Sequence, residues 1–144
     1  MDPTQVLLIE NACLRLLTQY VVATDSDDAA SWLDVFTDDA VWEAPNLRLE
    51  GRPAFEKFFA GRTNHKTSLV RHFSANALVQ IQDTDHATSI STMLVFRQTD
   101  YPGTGPGALK DPTAIVQNDD EFVRGPKGWR ISRRVTSLAF AAAT

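Results

Sequence analysis

The order of helical and extended patterns along this chain limits its fold more than any other sequence feature. Helical patterns and one pair of short strands occupy the first part, up to about residue 66. Four long β-rich stretches follow at residues 67–82, 86–98, 113–124 and 129–140. Helices segregated from strands that are joined by turn-like clusters are typical of an antiparallel α+β domain. We therefore predict one α+β domain that spans residues 1–144.

The first part of the chain predicts three helices. The first should run from about Thr4 to Thr24, because four apolar residues at steps of four, three and four share one face: Ile9, Cys13, Leu16 and Tyr20. The run "TDSDDAASWLDVF" predicts a short second helix, capped by Ser26 or Asp27. "RPAFEKFFAGR" predicts a third. Between the second and third, "TDDAVWEAPNLRLEG" indicates a turn and two short strands.

Composition narrows the functional classes. The net charge of −4 disfavours a nucleic-acid partner. No uninterrupted apolar run approaches the roughly 20 residues of a membrane span, and Glu10 and Asn11 break the N-terminal run. That run is therefore expected to be a helix and not a signal peptide. A single Cys13 excludes an internal disulfide, and a cytoplasmic location is expected.

The stretch "LVRHFSANALVQ" places His72 inside an otherwise apolar strand. A strand histidine is most simply a solvent-facing or hydrogen-bonded core residue. Alternatively the sheet curls around the helices and His72 points into the hollow, where a catalytic imidazole needs an orienting partner. Tyr20 on the buried face of the first helix and Asp25 just beyond that helix are the candidate partners. Residue patterns alone leave both interpretations of His72 open.

Several segments resemble the SnoaL-like, nuclear-transport-factor-two-like superfamily. They are "LLTQYVVATDSDDAASWLDVFTDDAVWE", "LEGRPAFEKFF", "RHFSANALVQ" and the paired closing strands. The resemblance covers nearly the whole chain. It implies a cone in which a curved antiparallel sheet wraps over three N-terminal helices and encloses a pocket.

The resemblance also implies a site. Scytalone dehydratase and bacterial bile acid dehydratase use a Tyr, an Asp and a strand His, and Tyr20, Asp25 and His72 correspond to them. Ketosteroid isomerase has its general-base Asp where this chain has Ala44, which argues against that mechanism. Substrate-binding residues expected around the catalytic three are Asp120, Asn76, Trp42, Trp32, Phe59 and Met93.

The function implied is a cofactor-free dehydratase or isomerase acting on a hydrophobic carbonyl or hydroxy-carbonyl compound of steroid or polyketide type. The alternatives are a non-catalytic ligand-binding or assembly subunit, like the small subunit of ring-hydroxylating dioxygenases, and a polyketide cyclase. No metal is expected, because His65, His72 and His86 lack the spacing of a metal site.

The long strands predict a homodimer. "STMLVF" and "RRVTSLAF" are apolar on both faces, and one layer of helices can cover only one of them. An exposed apolar face of that size is normally buried by a partner. We expect a second copy of the chain to cover the outer face of the sheet.

Overall fold

The computed structural model describes residues 1–62 and 67–143, and His65 lies outside these ranges. Within them, three helices precede or interrupt a six-stranded sheet. The elements are α1 (Pro3–Asp25), α2 (Ala29–Leu33), β1 (Phe36–Ala44), β2 (Leu47–Glu50), α3 (Arg52–Arg62), β3 (Leu69–Ile81), β4 (His86–Gln98), β5 (Ala114–Gly125) and β6 (Gly128–Ala141). The predicted α+β class and the order of elements are confirmed.

Helix α1 begins and ends where local chemistry allows. The Asp2 carboxylate accepts hydrogen bonds from the backbone N–H groups of Thr4 and Gln5, and the Gln5 side chain accepts from the Asp2 backbone N–H. This reciprocal pair satisfies N–H groups that have no partner within the helix. Asp25 is the last residue of α1, so the helix extends one residue beyond its predicted end at Thr24.

The cap of α2 differs from the prediction. Asp28, and not Ser26 or Asp27, accepts a hydrogen bond from the backbone N–H of Ser31. Ser26 instead closes α1, with its hydroxyl donating to the Val22 carbonyl at 2.7 Å. Asp27 has a φ of 54°, a left-handed conformation that turns the chain between the two helices.

The six strands are ordered β2-β1-β6-β5-β4-β3 in a curved sheet that does not close. Neighbouring strands pair antiparallel except β1 and β6, which run parallel, with Trp42 opposite Arg134. The predicted curved antiparallel sheet is confirmed except at this pair, which is parallel. The last strand of the chain inserts beside β1, and its direction there follows from the antiparallel meander that precedes it.

Aromatic side chains fill the space between the helices and the sheet. Trp32 is 1% exposed, and its ring centroid lies 4.9 Å from that of Phe59 and 5.1 Å from that of Phe36. Burying a side chain of this size typically stabilises a fold by about 2–3 kcal/mol. The aromatic cluster therefore anchors α2 and α3 against β1.

Helix α1 is long and apolar enough to cross a membrane when judged by length and composition alone. That measure is weak evidence for a single helix, because core helices pass it as well. Here one face of α1 packs into the core through Ile9, Cys13, Leu16, Leu17 and Tyr20. The expectation that the N-terminal segment forms a core helix fits this packing.

Candidate active site

Asp25 and His72 form a close pair between α1 and the edge strand β3. One carboxylate oxygen, Oδ1, lies 2.6 Å from His72 Nδ1, and the other, Oδ2, accepts the His72 backbone N–H at 2.9 Å. The side chains are only 12% and 9% exposed. Two hydrogen bonds to one carboxylate fix both the position of the strand and the rotation of the imidazole ring.

This geometry determines which ring nitrogen of His72 is available for chemistry. A carboxylate can only accept, so Nδ1 must carry the proton that it donates to Asp25. In the neutral ring, Nε2 then keeps its lone pair and can take a proton. Among the described residues no hydrogen bond occupies Nε2. The pair is therefore arranged as an oriented general base.

Tyr20 belongs to a second group of residues, over the middle of the sheet. The Arg134 guanidinium carbon lies 4.2 Å from the Tyr20 ring centroid, which is a cation–π contact. Arg134 Nε and Nη2 donate to the two oxygens of Asp120 at 2.7 and 2.9 Å. Five residues of helix separate Tyr20 from Asp25, a net rotation of about 140°. The structure thus pairs Asp25 with His72, and Tyr20 with Arg134 and Asp120.

Arg134 is the cation of this second group and is only 1% exposed. Burial by itself would lower the pKa of Arg134, but the Asp120 carboxylate, with a smaller contribution from Tyr20, raises that pKa above its ordinary value. A buried charge is tolerated when it is paired and hydrogen-bonded in this way. Arg134 Nη1, in contrast, is buried without a hydrogen-bond partner among the described residues.

Buried and half-buried polar side chains extend this group in two rows across the concave face of the sheet. In one row the strand register places Ser89 opposite Asp120 and Asp120 opposite Arg134. The next row contains three residues, Ser91, Asn118 and Thr136. Trp42 Nε1 donates to the Thr136 hydroxyl, which in turn donates to Asn118 Oδ1.

The hydroxyls of Ser89 and Ser91 are buried without a described partner, as is Arg134 Nη1. Unsatisfied buried polar atoms are costly, and they commonly mark sites completed by water or a ligand.

The remaining predicted residues divide into core and surface. Trp32, Trp42, Phe59 and Met93 are all buried members of the core cluster. Asn76 is exposed and lies where the β3–β4 register shifts, with a φ of 52°. The structure does not bring Asn76 into the buried polar set, because the bulge changes the alternation of side chains that places His72 inside.

Sequence reasoning missed Arg134, Ser89, Ser91, Asn118 and Thr136. A usable signal was present in "VQNDDEF", where Val116, Asn118, Asp120 and Phe122 alternate with exposed or half-buried residues. Alternation with period two assigns every second residue to one face. The polar members of an otherwise apolar series therefore point inward.

A cavity of about 430 Å³ lies beside Asp25, whereas His72 is not among the residues that line it. It is lined by the end of α1, by α3, by the start of β3 and by the end of β4: Thr24, Asp25, Asp27, Phe58, Arg62, Ser68, Leu69, Val70, Arg71 and Arg97. The carboxylate that holds His72 thus faces an open space large enough for a small molecule. Among the described residues no group of three or more His, Cys, Asp or Glu side chains is placed to hold a metal ion.

A profile of the SnoaL-like domain matches residues 5–135, most of the chain. This chain belongs to the SnoaL-like family. Comparison with curated protein sequences gives no significant match.

Solved structures similar to this SnoaL-like protein include a protein from Novosphingobium aromaticivorans provisionally named as a scytalone dehydratase. It is 20% identical, with 96% of this chain and 89% of that chain covered and a TM-score of 0.80. An NTF2-like protein with a cystatin-like fold from the same organism is 26% identical. The match covers 99% of this chain and 93% of that chain, with a TM-score of 0.77.

The hexachlorocyclohexane dehydrochlorinase LinA-type3 from Novosphingobium barchaimii LL02 is 13% identical. The match covers 98% of this chain and 93% of that chain, with a TM-score of 0.78. The predicted superfamily is confirmed. At such identities the dehydratase and the dehydrochlorinase establish the fold that this SnoaL-like protein shares with them, and no more.

Proposed function

We propose that this SnoaL-like protein is a cofactor-free lyase that eliminates water from a hydrophobic β-hydroxy carbonyl compound. The observation that carries the proposal is the Asp25–His72 pair, whose 2.6 Å contact leaves Nε2 of a nearly buried imidazole available as a base. Relatives of the same fold are named as a dehydratase and a dehydrochlorinase, and both names describe eliminations.

The reaction needs one group that moves a proton. His72 Nε2 takes the proton from the carbon next to the carbonyl, and the electrons of that C–H bond form an enolate. As the carbonyl re-forms, the C=C bond forms and the bond to the β-hydroxyl breaks. The same Nε2–H returns the proton to the departing oxygen, so water leaves and no redox change occurs.

Two further groups stabilise the charges that develop. Asp25 stabilises the imidazolium and keeps Nδ1 protonated throughout. The Tyr20 hydroxyl is the proposed donor to the enolate oxygen, since oxyanion donors act where negative charge develops. Because the Tyr20 ring packs against Arg134, the neighbouring cation favours negative charge near that hydroxyl.

A panel of hydrophobic β-hydroxy ketones tests the proposal, with the absorbance of the conjugated enone as the readout. His72→Gln should retain the fold and lower turnover by about 10²–10⁴. His86→Gln is the matched control, since His86 forms a similar pair with Asp83 at 3.0 Å but is exposed at the start of β4. If both variants turn over as fast as wild type on a confirmed substrate, the Asp25–His72 pair is structural and the proposal fails.

A proton shift without loss of water is the isomerase alternative. In that reaction the same Nε2 returns the proton to a different carbon and no water is lost. Mass spectrometry therefore separates the two reactions, because the isomerase product has the mass of the substrate and the lyase product is lighter by one water.

A further inference from the structure

The cavity beside Asp25 carries more positive charge than the rest of the chain would suggest. Arg62, Arg71 and Arg97 line it, against the two carboxylates of Asp25 and Asp27. The whole protein, in contrast, has a net charge of −4. The three arginines lie on three different elements, α3, β3 and β4.

These arginines are not neutralised by carboxylates within residues 1–62 and 67–143. Other arginines of the chain do form ion pairs there: Arg48, Arg52, Arg130, Arg133 and Arg134. Arg71 instead donates from Nη1 to the neighbouring Val70 carbonyl at 2.9 Å. The Arg62 guanidinium carbon lies 5.3 Å from the Phe59 ring centroid. Neither contact supplies a negative charge.

Neither carboxylate of the cavity forms an ion pair with a described arginine. Asp25 is engaged by the ring and the backbone of His72. Asp27 is exposed at the turn after α1 and makes no ion pair with the described arginines. Among the described residues, no carboxylate therefore pairs with the three arginines that line this cavity of about 430 Å³.

We propose that this cavity binds an oxyanion, a carboxylate or a phosphate, carried by the substrate of the Asp25–His72 pair. Guanidinium groups match the planar, two-oxygen geometry of such anions and bind them in charge-assisted pairs. Phe58 offers an apolar surface to the carbon skeleton beside the anion. This inference rests on the proposed function and narrows its substrate class to hydrophobic carbonyl compounds with an anionic group.

Binding measurements test the site without requiring turnover. Benzoate, the isosteric but neutral benzamide, and inorganic phosphate are titrated into the full chain by calorimetry and NMR. Benzoate or phosphate should bind at least about tenfold more tightly than benzamide, and raising the salt from about 0.02 to about 0.5 M should weaken the binding. Tighter binding of benzoate assigns the site to a carboxylate, and tighter binding of phosphate assigns it to a phosphorylated carrier.

Variants locate the anion. Arg71→Gln combined with Arg97→Gln should weaken anion binding by about tenfold or more, and Arg62→Gln tests the third guanidinium separately. Arg124→Gln is the matched control, because Arg124 is exposed and lines a different cavity, beside the start of α1. Equal binding of benzoate and benzamide, or an equal loss in the Arg124→Gln variant, would overturn the inference.

The same measurements separate this inference from the proposed function. His72→Gln should bind benzoate as wild type does while losing turnover. If neutral β-hydroxy ketones react in a His72-dependent manner but neither anion binds, the anion site is wrong and the lyase stands. If the anions bind as expected and no substrate reacts, the lyase is wrong and the anion site stands.

Discussion

Arg134 covers the ring face of Tyr20 at 4.2 Å while it holds Asp120 with two hydrogen bonds. A buried ion pair thus lies directly against an aromatic side chain that the proposed reaction uses as a donor. Its ring packing and its hydroxyl can be separated by substitution. Tyr20→Phe retains the ring and its contact with Arg134, whereas Tyr20→Leu removes the aromatic face.

For Tyr20→Phe we expect normal folding and a fall in kcat of about 10²–10³, the usual cost of one oxyanion donor. Tyr20→Leu should in addition lower the free energy of unfolding by about 1–3 kcal/mol, because it loses the cation–π contact and core packing. Urea denaturation beside steady-state kinetics distinguishes the two effects. Turnover of Tyr20→Phe at the wild-type rate would remove the hydroxyl from the chemistry.

The Asp120–Arg134 pair should behave as a buried charge pair. Arg134→Met leaves Asp120 buried without its partner, so we expect a loss of about 3–5 kcal/mol in the free energy of unfolding. The double variant Asp120→Leu, Arg134→Met removes both charges and should regain most of that loss. Arg133→Met, on the exposed side of the same strand, is the control and should cost less than about 1 kcal/mol.

The orienting role of Asp25 predicts a specific loss of activity. Asp25→Asn still fits between His72 and α1, but its amide no longer requires the proton on Nδ1. We expect kcat to fall by about 10²–10⁴, with stability nearly retained. Asp27→Asn lines the same cavity, and asparagine tolerates its left-handed backbone, so this variant should react like wild type. NMR of the His72 ring nitrogens would show the change of tautomer directly.

Because the Cys13 thiol is buried, we expect the free energy of unfolding to fall at alkaline pH. Burial raises the pKa of its thiol from 9.0 to about 12, so the folded protein keeps the proton while the unfolded chain releases it. The stabilisation is complete below pH 9 and is lost as the pH rises toward the folded pKa, at up to about 1.4 kcal/mol per pH unit. Urea denaturation between about pH 8 and 10.5 should give a shallower pH dependence for Cys13→Ala. Equal slopes for the two proteins would contradict this assignment.

The homodimer prediction depends on an apolar row that is exposed on the outer face of the sheet. One cross-strand row contains Phe73, Leu94, Ile115 and Phe140, and Phe73 and Phe140 are 58% and 69% exposed. A second copy of the chain would bury this apolar row. Sedimentation should show a dimer at micromolar concentration and a monomer for Phe140→Asp, while Leu7→Asp on the exposed side of α1 should remain dimeric. A monomeric wild-type protein would rule out this interface.

The sequence by itself determined the elements and part of the site. Local patterns placed α1 within one residue at each end, and the turn-like clusters separated the four long strands, because helix periodicity and turn chemistry act over a few residues. The chain order made the α+β class predictable. The singular position of His72 in an apolar strand, together with family resemblance, was enough to propose Asp25 as its neighbour.

Tertiary structure alone decided how the polar residues are grouped. In the sequence, Arg134 does not differ from the other arginines of β6. Only the strand register places it opposite Asp120 on the concave face. The bulge in β3 exposes Asn76, and a one-residue change of register is invisible to composition. The three arginines that line the cavity lie on three different elements, α3, β3 and β4. That they share one cavity depends on the curvature of the sheet and the path of the chain, which no local pattern encodes.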